Sequence, residues 1–267
     1  MKNTEMIKRS LGMIVFLAFV LSGLRAEAAG GKIQLSDGQV IAAKEIRFKK
    51  TSQEYIITMP NGTEMPMHKN RVKTVEIDKP AQYDQAAAAV TSGAVDQAIP
   101  MLEQIVADCF MLSPWDARSL DLLGLAYKKK GANAKAAAAY KKFYTACANP
   151  ASITLDMQRR AWDAFIVVND KSTLSQSVDA AIATGSRDNA AAAHIARADM
   201  AKAENNKQDA LLDYLRVVIL YEQVKAIQPE ALYKTAQCLE ELRDPRAEDW
   251  RKKLMSEYPQ DPWASKK

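Results

Sequence analysis

The sequence predicts a mainly α-helical protein: a solenoid of about five helix-turn-helix repeats, preceded by a small all-β, barrel-like domain. Near Pro80 the composition changes from β-branched and alternating apolar residues to alanine-rich, helix-forming sequence. Small residues then recur at intervals of 37 or 38 positions, which is typical of a repeat architecture. Turn-forming residues divide each interval into two helical stretches.

The first 28 residues have the features of a signal peptide. Lys2, Lys8 and Arg9 give a basic start, an uncharged apolar run covers residues 11–24, and Ala26-Glu27-Ala28 fits a signal-peptidase site. The run is shorter than the ~20 residues that a spanning helix needs, and no Cys follows it to accept a lipid. We therefore expect cleavage after Ala28 and a periplasmic or secreted protein, with an uncleaved anchor as the alternative.

Residues 29–79 are predicted to form about five short strands. Apolar and polar residues alternate through this segment, and Asp37-Gly38 and Pro60-Asn61-Gly62-Thr63 mark two tight turns. A sheet this small protects its edges best by curling into a barrel. The segment resembles the SH3-like or Sm-like barrels that precede helical repeats in some exported bacterial proteins.

Residues 80–267 carry two series of small residues, which mark where the two helices of each predicted hairpin cross. Such residues let two helices approach closely. The first helices contribute Ala87, Gly124, Ala161, Ala198 and Ala236, and the second helices contribute Ala98, Ala136, Thr173, Ala210 and Ala247. The turns between the helices are predicted at Ser92-Gly93, Gly131-Ala132-Asn133, Asn169-Asp170, Asn205-Asn206 and Asp244-Pro245.

The second repeat resembles a tetratricopeptide repeat (TPR). The residues that carry the resemblance are Leu123-Gly124, Tyr127, Gly131, Ala136 and Tyr140, and in the fifth repeat Leu232, Ala236, Leu239, Ala247, Leu254 and Pro259. The third repeat departs from the family pattern, with Thr173 in place of an alanine and Ser177 in place of an aromatic residue. The intervals also exceed the usual 34 residues. The resemblance implies a concave groove lined by the first helix of each repeat.

The family's groove positions, carried onto this chain, form a candidate binding surface for a peptide or partner protein. They are Arg118, Asp121, Leu125, Lys128 and Lys129 in the second repeat, Gln158, Trp162 and Phe165 in the third, and Tyr233, Gln237, Glu240 and Glu241 in the fifth. A basic end, an aromatic middle and an acidic end would match a peptide of opposite polarity. Structural roles are the alternative, because Lys128 and Lys129 sit at a helix C-terminus and Trp162 could belong to the core.

Candidate residues for a catalytic or metal site are few and scattered in the sequence. His68 is interpreted as a loop residue and His194 as a packing residue, and none of the common catalytic or nucleotide-binding motifs is present. We therefore expect no catalysis, no cofactor and no metal. Cys109 and Cys147 occupy equivalent positions in adjacent repeats, where packed thiols are favoured over a disulfide because neighbouring helices lie about 8–10 Å apart.

Two functions remain open after these exclusions. Residues 29–267 carry 33 basic and 30 acidic side chains, a balance that favours neither nucleic-acid binding nor strong attraction to a membrane surface. The first function is a protein-interaction scaffold in the cell envelope. The second is a structural, cell-wall-associated module whose β domain binds an anionic polymer through Lys44, Arg47, Lys49, Lys50, Lys69, Arg71 and Lys73. The partner and the oligomeric state are left open.

Overall fold

The computed structural model describes residues 30–266, so the predicted signal peptide lies outside the described residues. The chain is mainly helical, with a small N-terminal region of two three-stranded antiparallel sheets. One sheet has the strand order β2-β1-β6 and the other β3-β4-β5. The strands are β1 (Gly31–Leu35), β2 (Val40–Ala43), β3 (Glu45–Lys49), β4 (Glu54–Thr58), β5 (Glu64–His68) and β6 (Val72–Ile77), with a 3-10 helix at Lys69–Arg71.

Six strands lie between residues 31 and 77, one more than predicted, because Lys44 separates β2 from β3. β2 pairs with β1, whereas β3 pairs with β4, so the chain passes from one sheet to the other at this residue. Both predicted turns are confirmed. They join β1 to β2 and β4 to β5, and each places a glycine, Gly38 or Gly62, in the left-handed region where other residues are strained.

Five helical hairpins follow the strands, as the sequence predicts. Each helix packs against the next one in the chain, except that α6 packs against α4 and not against the short α5. The helices α1, α3, α6 and α8 form a second series, in which each contacts the next. The hairpins are α1 (Tyr83–Ser92) and α2 (Val95–Asp108); α3 (Trp115–Lys129) with α4 (Asn133–Lys141) and the short α5 (Phe143–Ala146); α6 (Leu155–Val167) and α7 (Lys171–Thr184); α8 (Arg187–Ala203) and α9 (Lys207–Leu220); and α10 (Gln228–Glu241) and α11 (Ala247–Glu257).

Each hairpin turns through one residue with a left-handed backbone: Gly93, Gly131, Asn169, Asn205 and Arg243, with φ between 58° and 87°. Glycine and asparagine adopt this conformation at little cost, and a residue of this kind commonly ends a helix. These residues recur every 36 to 38 positions. The regularity therefore extends from the side-chain pattern to the backbone.

Nine of the ten predicted small residues are buried, and Ala87 is the exception. Ala86 is fully buried in its place. Ala86 precedes the left-handed Gly93 by seven residues, as Gly124 precedes Gly131, so the first two hairpins share this spacing between crossing and turn. At Gly124 the crossing is so close that a Cβ atom would lie 2.5 Å from Cζ of Tyr140.

Two hydrophobic clusters fill the molecule and meet in the second hairpin. The first cluster joins the strands to the first two hairpins and includes Leu123 of α3, whereas the second runs from Ala117 of α3 to Leu254 of α11. Helix α4 likewise contributes Ala139 to the first cluster and Tyr140 to the second. The second hairpin therefore buries surface on two sides.

The strands are attached to the helices through the beginning of α3. The indole N–H of Trp115 donates to the carbonyl of Ile77 at 3.1 Å, and the Ile77 N–H donates to the carbonyl of Ser113 at 3.0 Å. Phe110, in the loop after α2, lies 5.8 Å from Phe48 of β3, measured between ring centroids. The strand region thus shares its core with the first two hairpins.

Candidate functional site

In the second hairpin, three predicted groove residues keep part of their surface in solvent. Arg118 is exposed, and its guanidinium lies 4.9 Å from the centroid of the Trp115 ring. Leu125 is half-buried. Lys129 is exposed, and its ammonium group donates to the carbonyl of Val90, at the end of α1, at 2.7 Å. This face of α3 therefore combines positive charge with one aliphatic side chain.

The other two predicted residues of α3 form ion pairs with α6. Asp121 accepts two hydrogen bonds from the guanidinium of Arg160, from Nε at 2.7 Å and from a terminal nitrogen at 2.8 Å. Lys128 Nζ lies 3.9 Å from a carboxylate oxygen of Asp163. The first pair is bidentate and half-buried, so Asp121 holds α6 against α3 and is not presented to a ligand.

In the third hairpin, the predicted aromatic middle of the groove belongs to the core. Trp162 is 1% exposed and Phe165 is fully buried, which corrects their assignment to the groove. The indole N–H of Trp162 donates to the hydroxyl of Ser177 on α7 at 3.0 Å. This bond links α6 to α7. Gln158 is half-buried and donates to the carbonyl of Ile153 at 3.3 Å.

We expect Trp162→Phe to lower the free energy of unfolding by about 1–2 kcal/mol, because it removes one buried hydrogen bond and part of a packed ring. Urea denaturation of this variant, of Ser177→Ala and of the double variant measures the coupling. Additive effects of the two substitutions would contradict a direct bond between these side chains.

In the fifth hairpin, the predicted groove residue Tyr233 is covered by the C-terminal segment. It is 9% exposed, and its ring centroid lies 5.3 Å from that of Trp263. The ammonium group of Lys266 lies 3.3 Å from the Trp263 ring centroid, which encloses the pair further. The residues after α11 therefore fold back over α10.

The three acidic or amide groups predicted at the same end are already engaged within the chain. Gln237 accepts a hydrogen bond from Lys202 at 2.7 Å, and Glu241 lies 2.9 Å from the same ammonium group. Glu240 accepts from the guanidinium of Arg251 at 2.7 Å. The pKa values of both glutamates are held below the usual range, chiefly by these hydrogen bonds.

A buried network of charges connects three hairpins, and no sequence motif indicated it. Arg159 of α6 donates to Glu230 of α10. Lys234 lies 2.8 Å from Glu230 and 2.6 Å from Asp199 of α8, and the Tyr214 hydroxyl of α9 donates to Asp199 at 2.6 Å. Burial alone would lower the pKa of Lys234, but Asp199 and Glu230 together raise it.

Helix α8 lets this network form because its side chains are small. Six of its residues between 190 and 198 are alanines, and all six are buried. Arg159 and Glu230 therefore meet although their helices belong to the third and fifth hairpins. The side of the helix stack that was predicted to be a groove is filled by protein side chains between these hairpins.

His194 is part of a second buried network and is more than a packing residue. Its Nδ1 lies 3.3 Å from Asp213, and Arg197 donates to both oxygens of that carboxylate at 2.7 and 2.8 Å. Arg216 donates to it as well. Burial alone would raise the pKa of Asp213, but these hydrogen bonds hold it well below the usual range. The network joins α8 to α9.

Asp116 is a third buried carboxylate that sequence reasoning missed. It accepts from the N–H of Ala117 at 2.7 Å and from the N–H of Ala148 at 2.6 Å, so it ties the start of α3 to the segment after α5. Burial outweighs these bonds and raises its pKa to about 6. The three cysteines, Cys109 and Cys147 among them, are free thiols whose pKa values burial also raises.

We expect Asp116 to make stability fall as the pH rises from its ordinary pKa of 3.8 to about 6. The folded state binds this proton more tightly than the unfolded chain, so its contribution is largest at acidic pH and is lost above the folded pKa. The free energy of unfolding should change by roughly 1.4 kcal/mol per pH unit across that window, relative to Asp116→Asn. Urea denaturation from pH 4 to 7 measures the difference, with the exposed Asp249→Asn as control. A pH-independent difference would rule out the shift.

Within residues 30–266, no group of three or more His, Cys, Asp or Glu side chains is placed to hold a metal. Nor is any helix in that range long and apolar enough to span a membrane. A cleft of about 490 Å³ lies where β6 meets the start of α3, and its lining includes Glu76, Asp78 and Ser113 but neither a His nor a Cys.

Comparisons of the chain with protein-family models, with curated proteins and with solved structures found no match. Candidate ligand-binding surfaces are therefore identified from exposure and charge. Two such surfaces lie within the described residues: the exposed face of α3 and the positively charged strand region.

Proposed function

We propose that this chain is an exported, TPR-like scaffold, without catalytic activity, that binds an acidic peptide or partner protein on the exposed face of α3. The solenoid assignment is supported by five successive hairpins whose left-handed turn residues recur every 36 to 38 positions. Export is supported by the sequence of residues 1–28.

The observation that carries the binding proposal is the contrast between α3 and α10. Glu240 and Glu241 of α10 are ion-paired within the chain, whereas Arg118 and Lys129 have no carboxylate partner among residues 30–266. Leu125 lies between these two cations in the sequence and is half-exposed. Cations beside an aliphatic side chain attract an acidic, partly apolar segment and set its orientation.

The test uses the whole mature chain, because residues 80–267 alone would lose the strand surface against which Trp115 and the first hairpin pack. A photo-crosslinking residue is placed at position 125, or at the exposed position 252 of α11 as control, and the protein is mixed with envelope extract. We expect position 125 alone to capture a defined protein.

A charge-reversed variant then decides whether that capture depends on the α3 face. Arg118→Glu combined with Lys129→Glu should abolish it, whereas Lys225→Glu combined with Lys252→Glu, which changes the net charge equally, should preserve it. Capture that survives the first pair, or that is equal at positions 125 and 252, would contradict the proposal.

A further inference from the structure

The excess positive charge of residues 29–267 lies in the strand region. Residues 30–79 carry nine basic and six acidic side chains, whereas residues 80–267 carry 24 of each. The helical hairpins are therefore electrically balanced. Any polyanion attracted to the mature chain would be drawn to the strands.

Six of these nine cations have no carboxylate partner among residues 30–266. The other three are paired: Lys32 with Glu76 at 2.8 Å, Arg47 with Glu45 and Glu64, and Lys79 with Asp84. The six without such a partner are Lys44, Lys49, Lys50, Lys69, Arg71 and Lys73. Their charge is available to an external anion.

Four of the six come together at one end of the strand region, where the turn between β3 and β4 meets the 3-10 helix, and the fifth, Lys73, follows Arg71 by two residues in β6. Gln53 joins the two segments: its amide donates to the carbonyl of Lys50 at 2.7 Å, and its side-chain oxygen accepts from Lys69 Nζ at 2.7 Å. The Lys69 N–H also donates to the Gln53 carbonyl at 3.0 Å. We call Lys49, Lys50, Lys69, Arg71 and Lys73 the basic rim.

The backbone places Lys49 and Arg71 at this end of the strand region. Lys49 lies opposite Glu54 in the sheet, and Glu54 lies opposite His68, so the end of β3 is next to the strand that leads into the 3-10 helix. Arg71 is held at its carbonyl by the Ser36 N–H at 2.9 Å. Two acidic residues lie near these five cations, Glu54 by the strand register and Asp37 next to Ser36, so the rim keeps a positive balance.

The rim is also anchored to the helices. The ammonium group of Lys50 lies 3.9 Å from the ring centroid of Phe110, and Phe110 in turn packs on Phe48. This contact holds Lys50 in place without neutralising it. The site is therefore pre-arranged by the junction between strands and hairpins.

The chemistry of the rim points to one ligand class, and we propose that it binds a linear chain of phosphate groups. Four of its five cations are lysines, which act as point charges on phosphate and do not require bidentate geometry. Phe48 contacts both Tyr55 and Phe110, and Lys50 lies over the Phe110 ring, so these half-buried aromatic side chains are already engaged within the chain and favour phosphate over a stacked nucleic-acid base as the ligand. Val40 is the exposed large apolar side chain of residues 30–79, and one such group provides little to insert into a membrane.

The experiment titrates short-chain inorganic polyphosphate into the full mature chain by calorimetry at about 50 and 200 mM salt. The site variant combines Lys49→Gln, Arg71→Gln and Lys73→Gln. The matched control combines Lys142→Gln, Lys225→Gln and Lys252→Gln, which removes the same charge from exposed positions of the hairpins. Circular dichroism and melting temperature establish that both variants are folded.

We expect the site variant to bind polyphosphate about tenfold or more weakly, and its salt dependence to decrease by a slope of about 2, because each phosphate contact on a flexible chain contributes roughly 0.7. The control should bind like the parent chain. A conservative variant, Lys49→Arg with Arg71→Lys and Lys73→Arg, should restore binding even if the glutamine variant is unstable.

If the site and control variants lose the same amount of polyphosphate affinity, net charge alone explains the binding and the proposal is overturned. It is also overturned if the chain does not bind polyphosphate, or if it binds phosphatidylglycerol vesicles in place of polyphosphate. A single-stranded oligonucleotide bound more tightly than polyphosphate would show that bases are recognised, which also contradicts it. Reversal of Arg118 and Lys129 on α3 should leave polyphosphate binding unchanged, so this proposal and the scaffold proposal can fail separately.

Discussion

Replacement of Lys234 by methionine is expected to lower the free energy of unfolding by about 3–5 kcal/mol, because it leaves two carboxylates without their shared cation in a buried site. Lys234 lies 2.6 Å from Asp199 and 2.8 Å from Glu230, and only 8% of the Glu230 side chain is exposed. Methionine keeps the length and the apolar part of the side chain, so the loss reports on the charge. Urea denaturation at neutral pH measures it.

The matched control is Lys252→Met on α11. Lys252 also follows a glutamate by four residues, but it lies 3.8 Å from Glu248 with both side chains largely in solvent. An exposed pair of this kind contributes little, so the control should change stability by less than about 0.5 kcal/mol. Similar losses in the two variants would show that the network around Lys234 is not coupled across the hairpins.

Gly124→Ala is expected to destabilise the protein by about 1–3 kcal/mol, although alanine favours a helix over glycine by about 1 kcal/mol. The added Cβ would lie 2.5 to 2.8 Å from three ring atoms of Tyr140. Tyr140 is fully buried and its ring packs on Phe143 at 5.5 Å, so it has no room to move away. Thermal and urea denaturation both measure the effect.

A second substitution tests whether the ring is the cause. Tyr140→Leu removes the atoms that the new Cβ would meet, so Gly124→Ala should cost less in that background than in the parent chain. An equal or larger cost in the double variant would mean that the close approach of α3 and α4 is not what requires glycine at this position.

The five hairpins could be predicted because their signals are local. A small residue at each crossing and a turn-former at each reversal lie within one repeat, and both can be read without knowing the rest of the fold. The one displaced position, Ala86 in place of Ala87, shows the limit of this reasoning. Two adjacent alanines look alike in a sequence, and only the structure distinguishes the buried Ala86 from the half-buried Ala87.

The candidate groove was harder to predict because distant residues determine whether its side chains are exposed or buried. Trp162 is a core residue whose indole bonds to Ser177, fifteen positions later in the chain. Arg159 and Glu230 lie 71 residues apart in the chain, and nothing in either neighbourhood indicates that they meet. The resemblance identified which face of each helix to inspect, but it gave no indication that Arg159 and Glu230 would meet on that face.

The second hairpin, which supplies residues to both hydrophobic clusters, imposes an order on folding. The strands end at Ile77, yet their cluster also needs Leu123 and Ala139. A polypeptide delivered from its N-terminus would therefore carry an unfinished strand region until more than sixty further residues had emerged. During that interval the apolar surface of the strands would be exposed and open to aggregation or to binding by chaperones. The time until α3 and α4 emerge sets how long this exposure lasts.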